Sequence, residues 1–286
     1  MKEAKQAIPA KIRRPFIIAG PCVLEGEKMA MEVAEAMAKI ASAHNLFYIF
    51  KSSYLKDNRT SGASYTGLGL TEGMKILAKI RQQFSLPVIT DVHFTDRLDE
   101  IAEVVDFLQI PAFLCRQGSL LHACAATGLP LNIKKGQFLA PADMALAVAK
   151  VRENRPDLEV MLTERGTTFG YRDLVVDMRG IALMRQMNCR VVFDVTHSLQ
   201  HPGAGGDRRF ARALARAALA AGAEGLFVET HPDPSQALCD ASTQLQLSEM
   251  PSLIAEWARL GELVAELEET DSSLAGADWP GLEVQG

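Results

Sequence analysis

The sequence predicts an α/β protein built as one closed (β/α)8 barrel of TIM type, and three observations predict it. Eight short apolar runs, rich in β-branched and aromatic residues, punctuate its 286 residues. Each is followed by a longer stretch with helical periodicity, the pattern of repeated βα units around a parallel sheet. No linker or shift in composition divides residues 15–267, so the units form a single domain. A hydrophobic fraction of 48% is enough to fill its core.

The expected strands are Phe16–Ala19, Leu46–Phe50, Pro87–Asp91, Asp106–Ile110, Leu131–Ile133, Val160–Thr163, Val191–Asp194 and Gly225–Glu229. Between them the 3.6-residue period predicts helices over Glu27–His44, Thr71–Phe84, Ala142–Asn154 and Arg208–Ala221, the last with an Ala/Leu face beside a row of arginines. A further amphipathic helix is expected over Met250–Leu267. Residues 1–14 read as an N-terminal extension, and Glu268–Gly286, acidic and without an apolar face, reads as a mobile tail.

Composition narrows the function. A net charge of −5 argues against nonspecific nucleic-acid binding, which needs a broad basic surface. Met1 to Arg14 is charged and broken by Pro9, and no apolar run is long enough for a signal peptide or membrane span, so a soluble cytoplasmic protein is expected. The five cysteines are odd in number and widely spaced, with no CxxC pair, so reduced thiols are expected.

Barrel enzymes place their chemistry where strands end. The polar residues at those positions are Cys22, Lys51, Asp91, Gln109, Lys134, Arg165, His197 and Glu229. Lys51, Lys56, Arg59, Arg116, Lys134 and Arg165 gather cations there in an acidic protein, which implies a polyanionic substrate. Single surface cations are usually just solvated. Lys134 differs, because alternation through Leu131-Asn132-Ile133-Lys134 puts it with Asn132 on the polar face, where an unpaired charge is costly. Cys22, His197, Glu229 and Asp240 offer thiolate, imidazole and carboxylate donors suited to iron(II), zinc or manganese. Without metal, Cys22 would serve as a small buried hydrophobe and the carboxylates as partners for nearby cations. The stretch His201–Asp207 suits a substrate-covering loop but is not a GxGxxG fingerprint, so no dinucleotide is expected.

Several strings resemble the 3-deoxy-D-manno-octulosonate 8-phosphate synthases, also called 2-dehydro-3-deoxyphosphooctonate aldolases. They include Ile18-Ala19-Gly20-Pro21-Cys22, Phe50-Lys51-Ser52-Ser53, Lys56-Asp57-Asn58-Arg59-Thr60-Ser61, Thr90-Asp91-Val92-His93 and Gln109-Ile110-Pro111-Ala112-Phe113. Asn132 to Phe138, Thr163-Glu164-Arg165-Gly166, Phe193 to Ser198 and Val228 to Pro232 continue the match, which runs from Ile17 to Gln244.

The resemblance implies a homotetrameric barrel that condenses phosphoenolpyruvate with D-arabinose 5-phosphate, releasing phosphate, toward the sugar acid of lipopolysaccharide. It implies that Lys56, Lys134 and Arg165 hold phosphoenolpyruvate in a pocket lined by Lys51, Gln109 and Ala112. Asn58, Arg59 and Thr60 would meet the sugar phosphate, and Arg116 would reach it from a neighbouring subunit. Cys22, where metal-independent members carry Asn, implies a divalent metal held with His197, Glu229 and Asp240. Lys56, Asp91, His197 and Cys22 are the implied catalytic set. Two departures are Thr60 where Ser is common and a glycine-rich loop shorter than in some relatives. The heptulosonate synthases, which take erythrose 4-phosphate, share the Gly-Pro-Cys segment but read Lys-Pro-Arg where this chain has Asp57-Asn58-Arg59. A non-catalytic sugar-phosphate binding protein is the alternative from another class.

Overall fold

The structure, a computed structural model, describes residues 5–10, 12–57, 62, 64–170, 173–201 and 205–270. Eight parallel strands run in chain order around a closed sheet: β1 (Phe16–Gly20), β2 (Tyr48–Lys51), β3 (Val88–Asp91), β4 (Phe107–Ile110), β5 (Leu131–Lys134), β6 (Val160–Glu164), β7 (Arg190–Asp194) and β8 (Gly225–His231). Closure comes from β1 pairing with β8, from Phe16 opposite Gly225 to Gly20 opposite Glu229. A side chain at Gly225 would put its Cβ 2.4 Å from the Phe16 ring, so the glycine admits the aromatic at the seam. Gly20 does the same for the backbone of β2, since a Cβ there would lie 2.0 Å from the Lys51 carbonyl oxygen.

Alternation divides each strand between two cores. Outward residues such as Ile17, Phe50 and Ile133 pack under the helices α1 (Glu27–Ala43), α2 (Leu70–Phe84), α3 (Leu98–Val104), α4 (Gly118–Ala126), α5 (Met144–Asn154), α6 (Arg179–Arg185), α7 (Ala211–Ala220) and α8 (Met250–Thr270). Inward residues Phe16, Ile18, Ile49, Ile89, Phe107, Met161, Val192 and Phe227 fill the lower lumen, and Ile8 of the N-terminal segment joins them as a plug. That segment is held by Gln6 N–H donating to Asp106 and by Arg190 donating to the Pro9 carbonyl. Above the apolar layer the inward positions become Lys51, Asp91, Gln109, Asn132, Lys134, Thr163, Asp194 and Glu229, all buried. The lumen is therefore apolar at its base and charged at its C-terminal mouth.

All eight expected strands are present. Helix α8 runs three residues past Leu267, to Thr270, because Glu268 and Glu269 pair with Arg185 and Arg13 instead of entering a tail. Short two-residue pairings, Thr167–Thr168 with Leu174–Val175 and Gln200–His201 with Gly205–Gly206, lie beyond β6 and β7, and Leu245–Gln246 extends the sheet beside the end of β8. Among the described residues no helix is long and apolar enough to cross a membrane. The expected mobile tail beyond Thr270 lies outside the described residues.

Candidate active site

Lys51, Lys56, Asp91, His93, Gln109, Ala112, Lys134, Gln137, Arg165, Asp194 and His197 converge on one cavity of 70 Å³ at the C-terminal mouth. A larger cleft of 680 Å³ lies between the N-terminal segment and α8. Its arginines, Arg13, Arg14, Arg185 and Arg190, are all spent on glutamates, so it offers no converging chemistry.

The mouth rests on a hydrogen-bonded floor. Thr163 donates to Asn132 Oδ1 at 2.6 Å, Asn132 to Gln109 Oε1 at 2.9 Å, and Gln109 to Asp91. Each amide uses both ends, which fixes its orientation. Ser53 also donates to Asp91. Burial would raise the Asp91 carboxyl, but the charges of Lys51 and Lys56 with the Ser53 hydrogen bond outweigh it and hold the group well below the carboxylate range.

The cations differ in what they have left to give. The three protons of the Lys51 ammonium are engaged by the Cys22 carbonyl at 3.1 Å, Ser53 Oγ at 3.1 Å and Glu229 Oε1 at 3.2 Å. Lys134 contacts Asp194 directly and lies 3.1 Å from the Phe227 ring centre. Lys56 stands back from its carboxylates, 3.7 Å from Asp91 and 3.8 Å from Glu229, beyond good hydrogen-bond range. Arg165 donates through Nη2 to Gln200 at 2.8 Å, while its Nη1 is buried without a hydrogen-bond partner among the described residues. An orphaned guanidinium nitrogen is costly, and an anion in the cavity would satisfy it. Arg116 is exposed in the loop after β4 and does not line the cavity. Asn58, Arg59 and Thr60 lie outside the described residues.

Beside the cavity, His197 begins a 3-10 turn just past β7. Its Nδ1 lies 2.8 Å from Asp194 Oδ2, and its Nε2 lies 3.7 Å from Glu229 Oε1 and 3.6 Å from Asp240 Oδ2. Cys22 Sγ is 3.5 Å from the same Asp240 oxygen. Glu229 Oε2 is buried with no hydrogen-bond partner among the described residues. Burial would raise the Glu229 carboxyl, but His197, Lys51 and Lys56 bring it down to about 2, so it is ionised. Burial, the contact with Cys239 and the charge of Glu229 push the Cys22 thiol well up, so without a cation it keeps its proton.

An imidazole, two carboxylates and a thiol thus lie close together, with the Lys51 and Lys56 ammonium groups beside Glu229. Metal bonds of 2.0–2.3 Å in a tetrahedral site separate neighbouring donors by roughly 3.3–3.8 Å, which matches the 3.5, 3.6 and 3.7 Å contacts here. The residues permit a metal site, and Asp194 supplies the carboxylate that orients a ligating histidine.

Asp194, His93, Gln137 and Cys239 are site residues that the sequence reading did not single out. Asp194 ends its strand on the inward face just as Asp91 does, so the alternation argument used for Lys134 identifies it too. His93 lies in the Thr90–His93 string, two residues beyond Asp91, with Nδ1 buried and without a hydrogen-bond partner among the described residues. Gln137 and Cys239 sit on loops, where no periodicity marks a direction.

Fold and site together define a single-domain barrel enzyme whose mouth gathers buried cations and permits a metal site. The chain belongs to the DAHP synthetase I family, whose profile matches residues 3–266. It is 52% identical to the 2-dehydro-3-deoxyphosphooctonate aldolase of Nitratidesulfovibrio vulgaris over 255 residues, covering 87% of this chain and 93% of the relative. The proteins of the same name from Azoarcus sp. and Methylobacillus flagellatus are 50% and 49% identical, each over 87% of this chain and 91% of its own length.

Proposed function

We propose that the protein condenses phosphoenolpyruvate with D-arabinose 5-phosphate and water to give 3-deoxy-D-manno-octulosonate 8-phosphate and phosphate. The observation that carries this reading is the buried Arg165 Nη1, without a hydrogen-bond partner among the described residues, on a side chain that lines the same cavity as Lys56 and Lys134. The resemblance to the octulosonate synthases supplies the substrates, and the relatives' shared name, 2-dehydro-3-deoxyphosphooctonate aldolase, agrees with the product.

Arg165 and Lys56, the cations with donors to spare, hold the phosphate and carboxylate of phosphoenolpyruvate. Lys134 contributes a third charge, and Gln109 and Ala112 shape the pocket wall. Lys51 acts through Glu229, whose orientation it sets. Asp91 is too acidic to take up a proton near neutrality, so it positions Lys56 and Gln109. With the enol held, its C3 attacks the sugar aldehyde, water adds at C2, and the resulting hemiketal phosphate collapses with cleavage of the carbon–oxygen bond. The cationic pocket stabilises the charge that develops. Cys22, His197, Glu229 and Asp240 would hold a divalent ion, iron(II), manganese or zinc, which would supply Lewis acidity for orienting the aldehyde or activating water. Asn58, Arg59 and Thr60 receive the sugar phosphate. Arg116, exposed on its own subunit, serves a neighbour's site in a cytoplasmic homotetramer.

One assay tests the reading. With phosphoenolpyruvate and metal supplied, arabinose 5-phosphate should release inorganic phosphate and form an eight-carbon keto acid, and erythrose 4-phosphate should react poorly. A preference for the four-carbon sugar would assign the heptulosonate reaction instead. Turnover of neither would favour a binding protein.

A further inference from the structure

The metal cluster includes a fifth side chain. Cys239 precedes Asp240 in the loop after β8 and is buried, with its Sγ 2.8 Å from Cys22 Sγ. Gln244 fixes the two together: its Oε1 accepts from the Cys22 backbone N–H at 3.3 Å, and its Nε2 donates to the Cys239 carbonyl at 2.8 Å. Donor atoms of Cys22, Cys239 and Asp240 all lie within 4.8 Å of one another, as do those of His197, Glu229 and Asp240. The two triads share Asp240, so an ion bound between them has sulfur on one side and imidazole and carboxylate on the other.

We infer that Cys239 is a second sulfur ligand of the metal held by Cys22, His197, Glu229 and Asp240. The inference rests on the metal reading above. Binding replaces the S–H···S contact: each thiol releases its own proton to solvent, two in all, and turns a sulfur lone pair to the ion. Two thiolates at neighbouring positions of a five-coordinate ion sit roughly 3.3–4.0 Å apart, given metal–sulfur bonds near 2.3 Å. The sulfurs therefore separate by about 1 Å on metal entry, a movement within reach of a side-chain rotation. A second soft donor biases the site toward zinc or iron(II) and away from manganese, which prefers oxygen.

The test uses the full-length protein, stripped of metal, reduced and kept anaerobic, titrated with cobalt(II). Wild type should bind one cobalt with a near-ultraviolet thiolate-to-metal charge-transfer band, and Cys239→Ser should bind one cobalt with about half that intensity. An undiminished band in Cys239→Ser would leave Cys22 as sole sulfur donor and overturn the inference while sparing the metal reading. Failure of wild type to bind cobalt would overturn both. If Cys239→Ser does not fold, X-ray absorption at the zinc edge on wild type decides the matter, with two sulfur neighbours supporting the inference and one refuting it.

Discussion

Lys134 and Asp194 hold their charged groups in direct contact across the lumen, with the Lys134 ammonium set over the face of Phe227. Burial dominates the lysine and lowers it from 10.5 to about 8, against the pull of Asp194. Asp194 is held well below the carboxylate range by His197 and Lys134 despite its own burial. The lysine is therefore the member of the pair that titrates near neutrality.

Affinity for phosphoenolpyruvate should accordingly fall as pH rises through about 8, with the slope of one proton. The stability effect has the opposite sign. The folded pKa lies below the unfolded one, so the cost of the buried charge is fully present below about 8 and is relieved between about 8 and 10.5. Wild type should gain urea resistance relative to Lys134→Met across that window. A flat difference, together with pH-independent binding, would contradict the assignment.

Arg165→Ala should weaken phosphoenolpyruvate binding by about 1.5–3 kcal/mol, the value of a charge-assisted hydrogen bond. Among the described residues its side chain makes one hydrogen bond, to Gln200, so a small change in melting temperature is the expected companion. Lys134→Ala should raise KM in the same way. Calorimetric titration of both variants separates binding from folding, and unchanged affinity in both would remove the pocket assignment.

Chelation should abolish activity, and added iron(II), manganese or zinc should restore it, with metal content tracking rate. Cys22→Ser replaces a soft donor by a weaker oxygen and should lower both metal retention and turnover without unfolding the barrel. In Cys22→Asn the amide can substitute hydrogen bonds for the ion's orienting role, so some chelator-insensitive turnover is expected. Full wild-type activity after verified metal removal would refute the catalytic role.

Gly225→Ala drives a methyl into the Phe16 ring at the closing seam and should cost about 1–3 kcal/mol. Phe16→Leu, which vacates part of that space, should recover some of the loss in the double variant. Denaturant midpoints for the four proteins of this cycle check the coupling.

Much of this architecture was legible in the sequence because two periods coexist in it. The alternation that sends Lys134 inward and Ile133 outward is the alternation of a barrel wall, and Lys134 lies where it indicated. Lys51, Lys56, Lys134 and Arg165 were legible for the same reason, whereas Arg116, on an exposed loop, lies outside the cavity and Arg59 lies outside the described residues. What escaped was direction in loops. Cys239 and Asp240 lie on a turn where Asp240 takes a φ of 47°, and no periodicity reveals that such a turn brings a second thiol onto Cys22. Lys51 escaped in another way: its position was legible, but only the structure shows its three protons spent on Cys22, Ser53 and Glu229.

The plug formed by Ile8, Phe16 and their neighbours governs access. With the base of the lumen sealed by hydrocarbon, traffic has one doorway. Whatever binds in the cavity has to enter and leave past the same C-terminal rim, so a substitution at the base of the lumen should alter stability without opening a second route.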